Sequence, residues 1–374
     1  MNFESLRNYI DQMPEREIPG CAIRVWKDHQ PVFAHSSGEA ERGKPIRGDE
    51  IYWLYSSTKV MTATAVMQLL GKGALSLDDR VSDYLPAYAH LTVLDGGTVR
   101  PARTEMTIRH LLTMSGGLNY DYNASAIREC IRKYGSSATT VQIAEALASQ
   151  PLDFDPGAHF QYSLCHDVLG AVIEVAAGEK FGEYVYQNII APLDIENLTF
   201  HPSDQQMQRL AARYSWDKGN HPVEMDRFSM KSHLSDAYES GGAGLMGDAD
   251  SYIRFIDALA NGGVGKNGAQ ILTPELIDLM RTDQLNEIQK RDFARRFGLR
   301  GYSYGLGVRT LIDAAKSKSP RGEFGWDGAA GAWVMIDPQN HLAAFYVQHV
   351  LDCGKAYKEY HPQIRNLIYD GLQG

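Results

Sequence analysis

The chain has 374 residues, 44% of them apolar and 22% charged, and carries a net charge of −9. No stretch approaches the roughly 18 uncharged apolar residues of a membrane span, and the acidic balance disfavours binding nucleic acid through a phosphate-neutralising face. Cys21, Cys130, Cys165 and Cys353 form no C-x-x-C pair, and the twelve histidines form no H-E-x-x-H, so neither a metal nor a redox centre is expected.

The N-terminal stretch 1–20 lacks a basic start followed by an apolar core and reads as a short amphipathic helix ending near Pro14. A cytoplasmic location is therefore expected. Segments 21–27 and 30–38 alternate around Asp28-His29 and predict a β-hairpin. Residues 51–54 read as strand-like and lead into a helix that stops at Gly71 and Gly73. Further helices are expected over 107–117, 141–150, 163–180 and 181–193. Residues 201–240 look irregular, with a turn at Lys218-Gly219-Asn220. Helices follow at 248–263, with Asp248 as N-cap, and at 273–281, with Pro274 in the first turn. The basic run Arg291, Arg295, Arg296, Arg300 reads as a solvated helix face. Strands are expected at 304–312, 330–337 and 341–350, before a closing helix at 361–373.

Strands at both ends with helices between predict an α/β (α+β) architecture, in which one antiparallel β-sheet is built from both termini and flanked by helices. Residues 1–80 and 236–374 would form this α/β part. Residues 81–235 would form a mainly helical subdomain, irregular over 201–235.

Three segments carry candidate chemistry. Ser56-Ser57-Thr58-Lys59 is an S-x-x-K motif at a helix start. Positions three apart share a helix face, so the Lys59 amine can reach the Ser56 hydroxyl, which needs a base to become a nucleophile. Helix N-terminal N–H groups favour developing negative charge there. The same field, with burial, is expected to lower the lysine pKa. Ser215-Trp216-Asp217-Lys218 has the same spacing, but it runs into a turn that would not hold serine and lysine on one face. Tyr162 follows the Asp155-Pro156-Gly157 turn and could relay protons beside a lysine. Tyr186-Gln187-Asn188 and Tyr238-Glu239-Ser240 are its rivals. The Gly-rich bend 324–331 precedes a strand and could supply a backbone N–H. Gly242-Ala243-Gly244-Leu245-Met246-Gly247 fits G-x-G-x-x-G but lacks the strand a dinucleotide site needs. It reads as a tight loop near the cleft.

Taken in order, these motifs resemble the serine β-lactamase and penicillin-binding-protein superfamily, in the branch of class C β-lactamase-related esterases. Segments 75–86, 107–118, 239–255 and 271–280 support the likeness. The resemblance implies an acyl-enzyme on Ser56, with Lys59 and Tyr162 sharing the proton transfers and the backbone N–H groups of Ser56 and Ala329 forming an oxyanion hole. It places substrate contacts at Leu164, Trp326, Asp327 and Gly328, and implies no cofactor. The family's Y-x-N is here Tyr162-Ser163-Leu164, its K-T-G is Trp326-Asp327-Gly328, and no S-D-N site is present. These departures favour a carboxylesterase acting on a small ester or amide. A weak β-lactamase, a D-amino-acid peptidase or amidase, an acyltransferase and a catalytically silent scaffold relative are the alternatives.

Overall fold

A computed structural model describes residues 1–228 and 230–374. Its main sheet has eight antiparallel strands, drawn from both ends of the chain. The N-terminal ones are β1 (Gly20–Lys27), β2 (Gln30–Glu41) and β3 (Lys44–Pro45). The C-terminal ones are β4 (Tyr302–Tyr304), β5 (Arg309–Leu311), β6 (Phe324–Gly325), β7 (Trp333–Asp337) and β8 (Leu342–Gln348). The spatial order is β4-β5-β6-β7-β8-β1-β2-β3. Strand β8 is the seam, because it pairs with β1 from Cys21↔Gln348 to Lys27↔Leu342 and thereby joins the two ends of the chain.

Both faces of the seam are buried, and side chains alternate between them as a pleated strand requires. Ala343, Phe345 and Val347 point into the larger core, whereas Leu342, Ala344 and Tyr346 point into a second one. Helices α1 (Glu4–Asp11), α2 (Thr58–Gly71), α3 (Cys165–Ala177), α4 (Ala249–Ala260), α5 (Glu287–Phe297) and α6 (His361–Gln373) complete the frame. Leu6 and Ile10 of α1 and Ile364 and Ile368 of α6 fill the second core. On the opposite face, Tyr252 of α4 lies 4.5 Å, centroid to centroid, from Phe345. Asp248 caps α4 by accepting from the Ser251 N–H, as its position in the sequence predicts.

The larger core runs without interruption from β1 and β8 through α2 and α3 to Ile143 and Ile189. The sheet and the helical region therefore share one interior. Helix α2 lies at its centre and is buried from Thr58 to Leu69. A helix apolar all round, as α2 is apart from Lys59, Gln68 and its threonines, can occupy such a position.

Three expectations are corrected. The stretch 304–312 is not one strand. β4 and β5 pair with each other (Tyr302↔Leu311) around a turn in which Gly307 has φ 83°. The region 201–240 contains a hairpin, Arg213–Trp216 with Pro222–Met225, on either side of the expected Lys218-Gly219-Asn220 turn. A second hairpin, Thr92–Asp95 with Thr98–Pro101, interrupts the helical region.

Candidate active site

The chain reaches Ser56 through a short, tightly tied lead-in. Tyr52 and Trp53 pair with Gly247 and Met246, and the Leu54 N–H donates to the Leu245 carbonyl at 3.0 Å. Tyr55 then takes φ 49°. A left-handed conformation in a bulky residue costs about 1 kcal/mol or more and persists only where the surroundings impose it. Here Met230 and Ala330 pack on the Tyr55 ring, and Arg213 Nη1 lies 3.4 Å from its hydroxyl. A single 3₁₀ turn, Tyr55–Ser57, runs directly into α2. Ser56 therefore sits at the N-terminal end of a buried helix, where free N–H groups and the helix dipole oppose a developing anion.

Lys59 is fully buried one turn on. Its Nζ lies 3.2 Å from Ser56 Oγ, 3.3 Å from the Tyr120 hydroxyl and 2.7 Å from the Gly242 carbonyl. Tyr162, just ahead of α3, donates to Ser56 Oγ at 2.6 Å. Its own oxygen accepts from Trp326 Nε1 at 3.0 Å. The Tyr120 and Tyr162 rings stack 5.2 Å apart, and the Lys59 ammonium stands 4.7 Å from the Tyr162 centroid. Behind them, buried Asp167 accepts from the Tyr238 hydroxyl at 2.6 Å and from Ser240 Oγ at 2.5 Å.

The lysine titrates in the opposite direction to the sequence expectation. Burial favours the neutral amine, but the oxygens of Tyr120, Tyr162 and Asp167 outweigh it, and the net shift is upward. Lys59 is held as an ammonium. Burial pushes the Asp167 carboxyl up, with Lys59 pulling against it.

Two glycines make this packing possible. A Cβ on Gly242 would lie 2.4 Å from Asp167 Oδ2, so only glycine lets its carbonyl reach Lys59 while the carboxylate packs behind it. A Cβ on Gly328 would lie 2.6 Å from the Leu54 carbonyl. The 326–331 bend thus lies directly against the Ser56 turn, and Ser57 Oγ donates to the Trp326 carbonyl at 3.4 Å. Among the described residues, the exposed Ala329 offers an N–H that makes no hydrogen bond. Trp326 is buried between Tyr162, Phe297 and Tyr304.

The structure therefore gathers Ser56, Lys59, Tyr162, Trp326 and Gly328. Two other residues named from the sequence are turned away. Leu164 is 1% exposed and lies in the core at the N-terminus of α3, because the apolar side chain follows the helix inward instead of facing the cleft. The Asp327 carboxylate accepts from Arg309 Nη1 at 2.7 Å and lies 3.7 Å from His361 Nδ1. It is held below the usual carboxylate range by Arg309 and His361, against the effect of burial. The rivals also separate. Tyr238 serves Asp167, Tyr186 is exposed, and Ser215 lies in a strand with its hydroxyl on Asp352. The G-x-G-x-x-G loop touches the cleft through Gly242. Tyr120 and Asp167 were not singled out from the sequence. Tyr120 follows the Gly116-Gly117 turn, which is the one local signal that could have marked it.

Comparison with known proteins gives a consistent result. A model of the β-lactamase family matches residues 6–361. Esterase EstB of Burkholderia gladioli is 30% identical over 352 residues, covering 86% of this chain and 84% of its own. Monacolin J acid methylbutanoyltransferase of Aspergillus terreus is 30% identical over 282 residues, 71% of this chain and 67% of its own. The solved structure of EstCE1, described as a hydrolase with promiscuous acyltransferase activity, superposes with a TM-score of 0.80 at 28% identity over 98% of each chain. With a family match over nearly its whole length and the serine–lysine–tyrosine cluster at the start of a central helix, this chain belongs to the β-lactamase family.

Proposed function

We propose that the chain is a serine hydrolase of small carboxylic esters that works through an acyl-enzyme on Ser56. One observation carries the reading: Ser56 Oγ lies within hydrogen-bond reach of both Lys59 and Tyr162, at 3.2 and 2.6 Å. Because Lys59 stays an ammonium, the group that takes the serine proton is the Tyr162 oxygen, as a phenolate held by that ammonium and by the Trp326 N–H. Ser56 Oγ bonds to the ester carbonyl carbon, and the oxyanion is met by the N–H groups of Ser56 and Ala329. Collapse breaks the bond to the alkoxide, which leaves with the proton from Tyr162. Water then repeats the sequence in reverse, giving its proton to Tyr162 and releasing the acid. The active form carries one proton fewer than the resting lysine–tyrosine pair.

The 28% identity to a hydrolase with promiscuous acyltransferase activity favours a second reading, in which an alcohol replaces water in the last step. Product analysis with added alcohols separates the two. Four unpaired, buried cysteines accord with a reducing, cytoplasmic setting, which fractionation of the source cells checks.

The deciding experiment is intact-protein mass spectrometry after a fluorophosphonate probe, together with p-nitrophenyl butyrate turnover. One adduct on the parent, none on Ser56→Ala and loss of turnover in that variant are expected. An adduct that survives in Ser56→Ala, or turnover close to the parent's, overturns the assignment.

A further inference from the structure

Beside Tyr162 lies a cavity of about 530 Å³, within the range of small-molecule sites. Its walls include Gln161, His159 and three residues of α5, namely Asp292, Arg295 and Arg296. The charges there do not cancel. Asp292 is the one carboxylate of the wall, and it is already engaged, since its Oδ2 accepts from His159 Nδ1 at 2.9 Å and from the Phe160 N–H at 3.4 Å. Arg295 Nη1 reaches its other oxygen only at 3.8 Å. Arg296 forms no ion pair among the described residues, and its guanidinium stands 5.5 Å from the Phe297 ring centroid. Phe297 in turn packs edge-on against Tyr162 and Trp326, at 5.5 and 5.2 Å. A chain with net charge −9 thus presents two guanidiniums against one shared carboxylate beside the tyrosine that touches Ser56.

The helix end alone gives a reason for basic residues here, because cations complement the last turn of α5. It does not account for a cavity opening between them and Tyr162. Unlike these two exposed arginines, Arg309 near the cleft is buried, is committed to Asp327 and Glu323, and faces no substrate. We infer that Arg295 and Arg296 form a subsite for an anionic group, so that the preferred substrates are half-esters of dicarboxylic acids or other esters bearing a carboxylate remote from the scissile bond. Guanidiniums suit this task because they pair with carboxylates through two parallel N–H bonds.

This assignment rests on the esterase reading for its ester end, and its test is chosen to be independent of turnover. Ser56→Ala protein is titrated calorimetrically with the monoethyl esters of succinic, adipic and suberic acid, and with the corresponding neutral diethyl esters. At least one half-ester is expected to bind about fivefold to tenfold more tightly than its diester, with the advantage shrinking at high salt. Adding Arg295→Gln and Arg296→Gln removes the advantage and leaves diester binding unchanged. Absence of half-ester binding, equal binding of half-ester and diester, or a preference that survives the double replacement overturns the subsite. If the subsite holds while the fluorophosphonate adduct is missing, the esterase reading alone fails. If the adduct forms and the preference is absent, the subsite alone fails.

Discussion

Two buried charge networks flank Ser56, and they are built on opposite plans. On the sheet side, Arg309 is 2% exposed and almost fully matched. It donates to Asp327 at 2.7 Å and to the Val334 carbonyl at 2.8 Å, and it lies 3.5 Å from Glu323, which also accepts from Tyr302 at 2.5 Å. On the helical side, the Lys59 ammonium faces neutral oxygens, with its nearest carboxylate, Asp167, committed to Tyr238 and Ser240. A closed network has no proton to give and no lone pair to spare, so it fixes the 324–331 bend. An ammonium without a directly bound carboxylate acts on whatever oxygen next becomes negative, which is Tyr162 or the substrate.

The largest effect should come from removing that ammonium. Lys59→Met is expected to lower kcat on p-nitrophenyl butyrate about 10³- to 10⁴-fold, while thermal unfolding stays cooperative. A residual rate within tenfold of the parent's would erase the distinction between the networks. Breaking the closed network should do the reverse. Arg309→Met strands Asp327 and Glu323 in the interior and should cost about 3–5 kcal/mol in denaturant unfolding, with the folded fraction keeping kcat within severalfold. Neutralising both acids in the same background, as Asp327→Asn and Glu323→Gln, should recover part of the loss.

Asp167→Asn sharpens the contrast at smaller scale. The carboxylate favours the Lys59 ammonium through space, so its loss lets that ammonium deprotonate at lower pH. The alkaline decline of kcat/KM should move down the pH scale, kcat should fall about tenfold, and KM should change little. A fall confined to KM, or an unmoved alkaline limb, would make Asp167 a packing residue.

How far these networks could be read from sequence follows from how local they are. Ser56 and Lys59 are three apart, and Tyr162 follows a Pro-Gly turn, so helix periodicity and turn chemistry expose all three. A sheet built from both termini was legible as well, from strand patterns at the two ends of the chain. The pairing of β1 with β8 was not, because β8 is buried on both faces and shows no alternation. Tyr120 and Gly242, which complete the lysine's surroundings, lie 61 and 183 positions from it. No local rule connects them, and the direction of the Lys59 shift depends on Tyr120 together with Tyr162 and Asp167. The role of Asp327 was hidden for the same reason, because its partner Arg309 lies on a strand that the sequence merges with β4. Gly305 and Gly307 mark that break, but aromatic and β-branched residues on both sides mask it.

A solvent-facing pair gives the lower end of the scale. Arg100 grips Asp155 with two N–H groups, at 3.0 and 2.7 Å, and the Arg103 N–H donates to the same carboxylate at 2.7 Å. Arg100 is the chief reason that the Asp155 carboxyl is lowered to about 2. In the unfolded chain its value returns to about 3.9, so the stabilisation is complete above that pH and is lost as the pH falls towards 2. Solvent screening limits it to about 1 kcal/mol, far below either buried network. Asp155→Asn should therefore lower Tm by about 2 °C at neutral pH, and the difference from the parent should close as acid protonates the parent's carboxyl. Because Asp155 opens the turn that leads to Tyr162, kcat is the second readout. An unchanged kcat would show that the turn holds its shape through Pro156, Gly157 and the Gly157 N–H bond to the Ser115 carbonyl at 2.8 Å, with the ion pair adding stability and nothing to the chemistry.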